Sequence, residues 1–238
     1  MIKANQMDNK EAATFGLSYV TAALSLYREL RLPEPWIPAE GPIPLIIYGA
    51  ASSVGAFAVK LARLSNIHPI IAVAGRGTEY VSSLLDSSKG DAVIDYRMGL
   101  DFVTAEFQRL APKLEYALDA ISTADTVSAV APVLDSSKGR FSLVLPQELP
   151  PQIAGGIKTT VSFAPALWEP SESGSEIPAL RAFAYTYFRY LSYALDNNLI
   201  SNHPFEVVNG GLEGISRALK DLRDGKISAA KYVVRISP

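Results

Sequence analysis

Short apolar segments alternate with amphipathic segments through the middle of this chain of 238 residues. The apolar segments are Leu45–Tyr48, Pro69–Ala74, Ala92–Asp95, Tyr116–Asp119 and Phe141–Leu145. The first is followed by Ala56–Leu64, in which apolar residues recur with helical spacing, and the next three are also followed by helical patterns. Short continuous apolar runs are typical of strands that are buried on both faces. The alternation therefore predicts an α/β fold with a doubly wound parallel sheet.

The region before these segments has a different pattern. Apolar residues recur with helical spacing from Glu11 to Leu30, with Gly16 inside the run, which predicts one long helix. The next segment, RLPEPWIPAEGPIP, holds five prolines in fourteen residues. Because proline lacks a backbone N–H, this segment can be neither a helix nor a central strand, and it is expected to be a connector.

The region after Pro146 is less regular. Its pattern predicts strands at Lys158–Phe163, Phe205–Val208 and Lys231–Ile236, and helices at Ile177–Leu195 and Leu212–Leu222. The segments PQELPPQIAGG and EPSESGSE are rich in proline, glycine and polar residues, and we expect both to be loops.

Charge and hydropathy exclude several classes of protein. Lys and Arg number 22 against 24 Asp and Glu, so the net charge of −2 provides no basic excess for binding nucleic acid. No apolar run of about 18 residues is present, so no membrane span is expected. The first residues, MIKANQMDNKEAA, lack the apolar stretch of a secretory signal. We therefore expect a soluble, cytoplasmic protein.

Few residues suited to metal binding or nucleophilic catalysis are present. The chain has no cysteine and two histidines, His68 and His203, which disfavours disulfides, thiolate catalysis, iron–sulfur clusters and a zinc site. The patterns Tyr-x-x-x-Lys, G-x-S-x-G and G-x-x-x-x-G-K-[ST] are all missing, which disfavours short-chain dehydrogenases, hydrolases and phosphotransferases. We assign no metal ligand and no catalytic residue.

The strongest candidate site is the glycine-bounded turn GAASSVG, which follows the first predicted strand and opens a helix. Gly49 would allow a tight turn, and Gly55 would allow the helix to lie close to the sheet. The peptide N–H groups near the helix start would face a pyrophosphate at the positive end of the helix dipole. Alanine replaces the middle glycine of G-x-G-x-x-G, so a purely structural turn is the alternative.

The end of the second predicted strand distinguishes the two nicotinamide cofactors. NAD sites place an acidic residue there to bind the ribose 2′-hydroxyl. This strand instead leads into Gly75-Arg76-Gly77-Thr78, in which a cation replaces the acid. A cation is suited to a 2′-phosphate, so NADP is favoured over NAD. The alternative is that Arg76 is a solvated turn residue paired with Glu79.

Together these motifs are similar to a known family. The segments AATFGLSYVTAALSLY, PLIIYGAASSVGAFAVKLA, AVAGRGTEYV, GDAVIDYR and ALDAIS resemble the cofactor half of medium-chain dehydrogenase/reductases. The final segment from His203 resembles their C-terminal return segment. The chain is most similar to the zinc-free fungal branch of ToxD-like oxidoreductases and trans-acting enoyl reductases. The resemblance implies a Rossmann domain that binds NADP(H) and reduces an activated C=C bond in an enoyl or quinone substrate. It also implies a role in fungal secondary metabolism with a polyketide synthase as partner.

The resemblance also implies roles for individual residues. The pyrophosphate turn would comprise Gly49, Ala50, Ser52, Ser53, Val54 and Gly55, and the 2′-phosphate site Gly75, Arg76, Gly77 and Thr78. Tyr96 would lie beside the adenosine, and Ile121 and Ser122 at the end of the fourth strand. Thr21, Val144, Leu145, Ile227 and Ser228 would lie near the nicotinamide.

The chain differs from the family at its beginning. Family members start with a GroES-like catalytic domain, and this chain starts where that domain would end. We expect an N-terminal helix and connector (1–40), a Rossmann dinucleotide-binding domain (41–198) and a remnant of the catalytic domain (199–238). The final strands would expose unpaired edges, which favours self-association or a partner. The alternative function is a non-redox ligand-binding protein, such as a cyclase, an isomerase or a synthase accessory.

Three further features have a structural interpretation that we favour. Six aromatic residues lie on the predicted helix Ile177–Leu195, and core packing is preferred over a ligand pocket; they are Phe183, Tyr185, Tyr187, Phe188, Tyr190 and Tyr193. His203 precedes a proline and is expected on the surface. Lys60 is expected on the solvated face of its helix.

Overall fold

The computed structural model describes residues 7–112, 114–149, 156–170 and 175–236. The strands are β1 (Leu45–Tyr48), β2 (Ile70–Ala74), β3 (Ala92–Asp95), β4 (Tyr116–Asp119), β5 (Arg140–Leu143), β6 (Lys158–Val161), β7 (Phe205–Val208) and β8 (Lys231–Val234). The α-helices are α1 (Asn9–Ala23), α2 (Ser53–Leu64), α3 (Thr78–Leu84), α4 (Leu100–Leu110), α5 (Ala124–Val130), α6 (Ile177–Asp196) and α7 (Gly211–Arg223).

Six strands form one parallel sheet in the order β3-β2-β1-β4-β5-β6. The order reverses between β1 and β4, which is the strand order of a doubly wound Rossmann-type fold. The predicted α/β fold is therefore confirmed. None of the helices in the described ranges is long and apolar enough to cross a membrane.

Strand β1 shows how the two faces of the sheet are buried. Its side chains alternate, with Leu45 and Ile47 in one apolar cluster and Ile46 and Tyr48 in another. The first cluster is covered by α1, α2 and α6, and the second by α4 and α5. Burial on both faces explains why this strand is apolar at every position.

The N-terminal helix begins two residues earlier than predicted and is irregular. It begins at Asn9, where Asp8 and Glu11 form a capping box. Gly16 departs from helical geometry (φ 17°, ψ −116°), and Leu24–Glu29 continues as a π-helix. Helix α1 packs on α2, where Phe15 and Phe57 have ring centroids 5.0 Å apart. The connector after it contains neither α-helix nor strand, as predicted.

Most predicted strand bounds are observed, but β5, β6 and β8 end two residues early. At β5 the cause is a tertiary hydrogen bond, since the Val144 N–H donates to Ser122 Oγ (2.9 Å) instead of to a neighbouring strand. Pro146 follows and cannot donate. Residues 150–155 and 171–174, within the two predicted loops, lie outside the described residues.

The C-terminal strands pair with each other. β7 and β8 form a parallel two-stranded sheet in which Phe205 lies opposite Lys231, and α7 connects them. Each strand therefore has one neighbour within the described ranges, and neither joins the main sheet. The predicted self-association stays a prediction.

The predictions for His203 and Lys60 were wrong. His203 is 1% exposed, and its backbone N–H donates to Thr14 Oγ1 (3.3 Å). Lys60 is 9% exposed, and its ammonium donates to the carbonyl oxygens of Ser201 (2.9 Å) and Asn202 (2.8 Å). The loop that leads into β7 folds over α2. It covers Lys60 and buries the side chain of its own residue His203.

The burial of His203 predicts an acid-sensitive stability. Desolvation, together with the charges of Lys60 and Lys231, lowers the pKa of His203 from 6.5 to about 4. As the pH falls through this interval, the unfolded chain binds a proton that the folded chain does not. The free energy of unfolding should then fall by about 2–3 kcal/mol. Urea denaturation at several pH values checks this, and His203→Gln should flatten the profile between pH 4 and 6.5. If the free energy of unfolding depended on pH equally in the wild type and in His203→Gln, His203 would not cause the acid sensitivity.

The aromatic residues of α6 mainly form core contacts, as predicted. Tyr187 is 1% exposed and stacks on Tyr27 with ring centroids 5.0 Å apart. The Phe183 ring packs beside the Tyr187 ring, with the ring centroids 4.4 Å apart. Tyr185 and Tyr193 lie on the outer face of the helix and are exposed.

Candidate functional site

A cavity of about 1120 Å³ lies at the carboxyl ends of the central strands. Tyr48 of β1 and Ala74 of β2 reach it from the main sheet, and the beginning of β8 also lines it. This position coincides with the reversal of strand order between β1 and β4. Crevices at such switch points are where open α/β sheets bind ligands.

The turn after β1 forms the polar floor of the cavity. Ser52 is the N-cap of α2, and its Oγ accepts a hydrogen bond from the Gly55 N–H (3.1 Å). A Cβ atom added to Gly55 would lie 2.3 Å from the Gly49 carbonyl oxygen, so the turn and the helix touch through backbone. The start of α2 consequently presents peptide N–H groups and the positive end of its dipole to the cavity.

A half-buried lysine lies beside this helix start. The Lys231 ammonium donates to Ser18 Oγ (3.1 Å) and to the Thr14 carbonyl oxygen (3.2 Å). Ser18 Oγ is in turn 2.8 Å from Ser53 Oγ. Burial lowers the pKa of Lys231, so its charge is incompletely solvated. A cation next to a helix N-terminus is suited to binding an anion.

The turn after β2 places a second cation at the cavity. Arg76 is exposed and donates to the carbonyl oxygens of Gly225 and Ile227, the latter at 3.4 Å. It forms no ion pair with Glu79, which the alternative interpretation places close enough to pair with it. Both contacts use one guanidinium nitrogen, and an arginine has five N–H donors. Donors therefore remain for a phosphate group.

The carboxyl end of β4 is held by a buried carboxylate. Asp119 is 0% exposed and accepts hydrogen bonds from the N–H groups of Ile121 (2.9 Å) and Ser122 (2.8 Å), and from the Thr126 hydroxyl. Burial raises the pKa of Asp119. Ser122 has a positive φ of 57° and links this turn to Val144. This network shapes the turn and leaves the Ile121 side chain at the cavity.

Apolar side chains form the outer walls. Tyr96 and Leu100 lie on one side and are each 48% exposed. Helix α7 forms the other side with Ile215, Leu219 and Leu222. The cavity thus has a polar, cationic floor between apolar walls, which suits a ligand that has phosphate groups and aromatic rings.

Half of the predicted site residues line the cavity. They are Gly49, Ser52, Ser53, Gly75, Arg76, Tyr96, Ile121, Ile227 and Ser228. The predicted residues that do not line it are Thr21, Ala50, Val54, Gly55, Gly77, Thr78, Ser122, Val144 and Leu145. Gly55 and Ser122 support the lining from behind, through the contacts given above.

Ile227 and Ser228 line the cavity. The resemblance implies that they lie near the nicotinamide, together with Thr21 and Val144, and this stays a prediction. The turn between α7 and β8 contacts the end of β2, since the Ile227 carbonyl oxygen accepts a hydrogen bond from Arg76 (3.4 Å). Thr21 is buried, and its hydroxyl donates to the Leu17 carbonyl oxygen (2.8 Å).

Sequence reasoning missed Lys231 and the apolar face of α7. The spacing of Ile215, Leu219 and Leu222 gives α7 an apolar face, but nothing in that pattern shows which element it faces. Lys231 begins a strand, and its contacts with α1 join residues more than 200 positions apart. Within the described ranges, no group of three or more His, Asp or Glu side chains could hold a metal ion.

The chain is similar in sequence to several proteins that are named trans-enoyl reductases. No protein-family model matches the chain. It is 38% identical over 209 residues to trans-enoyl reductase fsr4 of Gibberella fujikuroi, covering 86% of this chain and 59% of that protein. It is 30% identical over 238 residues to trans-enoyl reductase fsa3 of a Fusarium species, covering 94% and 64%. The chain therefore spans less than two thirds of the length of these relatives.

A solved structure supports the fold assignment. The crystal structure of JamJ enoyl reductase matches with a TM-score of 0.71 and 17% sequence identity, over 98% of this chain and 64% of that one. This likeness shows that the two chains share the Rossmann-type fold.

Proposed function

Because this chain is a relative of the fungal trans-enoyl reductases, we propose that it is an NADPH-dependent oxidoreductase that reduces an activated C=C bond. One observation carries the proposal. The cavity at the switch point combines the start of α2 with two cations, Lys231 at the start of β8 and Arg76 in the turn after β2. Two separated cations suit the two phosphate-bearing parts of NADPH, its pyrophosphate and its 2′-phosphate.

The residues that line the cavity fit this cofactor. The N–H groups at the start of α2 and the Lys231 ammonium would bind the pyrophosphate. Arg76 would bind the 2′-phosphate, and Tyr96 and Ile121 would contact the adenosine. The close approach of Gly55 to Gly49 supports this assignment, because it keeps side chains away from the helix start.

Bound NADPH supplies a hydride, which would pass to the β-carbon of an α,β-unsaturated carbonyl or to a quinone. The contribution of the chain would be positioning and desolvation. Ionic contacts at Arg76 and Lys231 would fix one end of the cofactor, and the apolar walls would exclude water. Thr21, Val144 and Leu145 are proposed for the nicotinamide end on the family resemblance. Protonation by solvent or by a side chain would complete the reduction.

The substrate and partners follow from the relatives. Proteins named trans-enoyl reductases suggest a polyketide-like enoyl substrate that is delivered by a synthase, in fungal secondary metabolism. We propose the same class of substrate, a polyketide synthase as partner, and a cytoplasmic location. Self-association through β7 and β8 belongs to the same proposal.

Turnover of NADPH tests the reductase proposal. The purified chain is mixed with NADPH and a panel of enoyl thioesters, enones and quinones, and the loss of NADPH absorbance is followed together with the mass of the product. A product heavier by two hydrogens, formed as NADPH is consumed, supports the proposal. Binding of NADPH without oxidation across the panel would contradict it and would favour a non-redox ligand-binding protein.

The role of Lys231 predicts a loss that is shared by both cofactors. NADPH and NADH carry the same pyrophosphate, so Lys231→Met should weaken the binding of both about 10-fold. Calorimetric titration measures both affinities. Lys220→Met is the control, because Lys220 is exposed on α7 outside the cavity lining. Equal affinities in Lys231→Met and the control would remove Lys231 from the site.

A further inference from the structure

The turn between α7 and β8 contacts Arg76 directly. The guanidinium of Arg76 donates to the carbonyl oxygens of Gly225 and Ile227, which both lie in this turn. Arg76 and the turn belong to distant parts of the chain, since Arg76 follows β2 and the turn precedes β8. An exposed arginine has many rotamers, and these contacts select one of them.

The turn itself is braced. The Lys226 N–H donates to the Asp221 carbonyl oxygen (2.9 Å), and the Lys226 ammonium donates to Asp221 Oδ1 (2.6 Å). Gly225 has a φ of +66°, and its N–H donates to the Leu222 carbonyl oxygen (3.1 Å). A positive φ is strained for residues other than glycine, so the path of the turn depends on Gly225.

A second contact joins the turn to the Arg76 loop. A Cβ atom added to Gly77 would lie 2.9 Å from Ala229 Cβ, so the two segments touch at this glycine. The Ala229 side chain therefore packs against the Gly77 backbone next to Arg76, while the Arg76 guanidinium donates to carbonyl oxygens of the turn. Arg76 is thus in contact with the turn through its guanidinium and beside it through Gly77.

We propose that the α7–β8 turn, residues 224–227, is a specificity-determining element that positions Arg76 for the 2′-phosphate of NADPH. The proposal rests on the proposed function. When a long side chain becomes ordered on binding, the conformational entropy it loses lowers the affinity. An arginine that the turn already holds in one rotamer loses less entropy when the cofactor binds. The carbonyl oxygens occupy one guanidinium nitrogen and leave the remaining N–H groups for the phosphate. The turn would thereby favour NADPH over NADH through its effect on Arg76.

Gly225→Pro tests this inference. Proline fixes φ near −65°, so it cannot adopt the observed +66° and must redirect the turn. The ratio of the Kd for NADH to the Kd for NADPH should fall about 3- to 10-fold, mainly through weaker NADPH binding. Gly90→Pro is the matched control. Gly90 also has a positive φ (+83°), its N–H also donates three residues back at 3.1 Å, and it lies outside the cavity lining.

A double-mutant cycle separates positioning from general damage. In an Arg76→Ala background, Gly225→Pro should leave the ratio unchanged, because there is no guanidinium to position. If Gly225→Pro does not fold, Gly225→Val, which also disfavours a positive φ, replaces it. A wild-type preference for NADPH that survives the turn variant would overturn the inference and leave the proposed function standing. A wild-type chain that binds neither nucleotide would overturn both.

Discussion

Arg76→Ala is expected to weaken NADPH binding about 30-fold and to change NADH binding less than about 3-fold, because the two cofactors differ only at the 2′-phosphate. Arg76 lines the cavity at the end of β2, where NAD-specific sites place an acidic residue. Its guanidinium has donors beyond those that bind Gly225 and Ile227. Calorimetric titration of both cofactors measures the change in preference.

Arg97→Ala is a suitable control for this variant. Arg97 follows β3 at the same edge of the sheet, but its guanidinium binds the Asp95 carboxylate (2.5–3.0 Å) and does not line the cavity. Its removal lowers the positive charge by the same amount and should leave the cofactor preference unchanged. If Arg76→Ala weakened NADPH and NADH equally, Arg76 would not bind the 2′-phosphate, and NADP specificity would lack its main support.

Gly55→Val is expected to abolish the binding of both cofactors, with a loss of at least about 100-fold. The added Cβ would lie 2.3 Å from the Gly49 carbonyl oxygen, and backbone cannot move aside as a flexible side chain can. The start of α2 would have to shift, and its N–H groups would leave their positions at the cavity floor. Overpacking of this kind also lowers the free energy of unfolding by about 1–3 kcal/mol, which urea denaturation measures.

The matched control for Gly55 is Gly139→Val. A Cβ added to Gly139 would lie 2.6 Å from the Asp135 carbonyl oxygen, so it meets the same kind of backbone obstacle at a residue that does not line the cavity. This variant should lose stability and keep its cofactor affinity. A Gly55→Val chain that binds NADPH as tightly as the Gly139→Val chain would show that the turn after β1 is only structural.

The parts of the fold that local pattern determines were predicted closely. β1, β3, β4 and β7 have the predicted bounds, because each is a short apolar run that ends at a polar or glycine residue. β5 ends early because Ser122 takes the hydrogen bond of Val144, which is a tertiary contact that no local pattern contains. The same limit applies to His203, whose environment depends on a loop that folds over α2.

The candidate site also has some residues that local pattern predicts and others that depend on tertiary contacts. The GAASSVG turn and Arg76 follow strands directly, so their place at the carboxyl edge of the sheet can be deduced from the order of elements. Lys231 reaches the same cavity from the end of the chain, through Ser18 and Ser53. Periodicity shows that a segment is a strand but does not show which helix it crosses. That is why the cation nearest the helix start was not identified from the sequence.

Calorimetric titration of the purified chain with NADPH and NADH shows directly whether the cavity is a site for NADPH. Calorimetry suits this chain because Trp36 and Trp168 both lie outside the cavity lining. We expect one site of micromolar affinity for NADPH, with NADH bound at least about 10-fold more weakly. Absence of binding by either nucleotide, or equal binding of both, would contradict it.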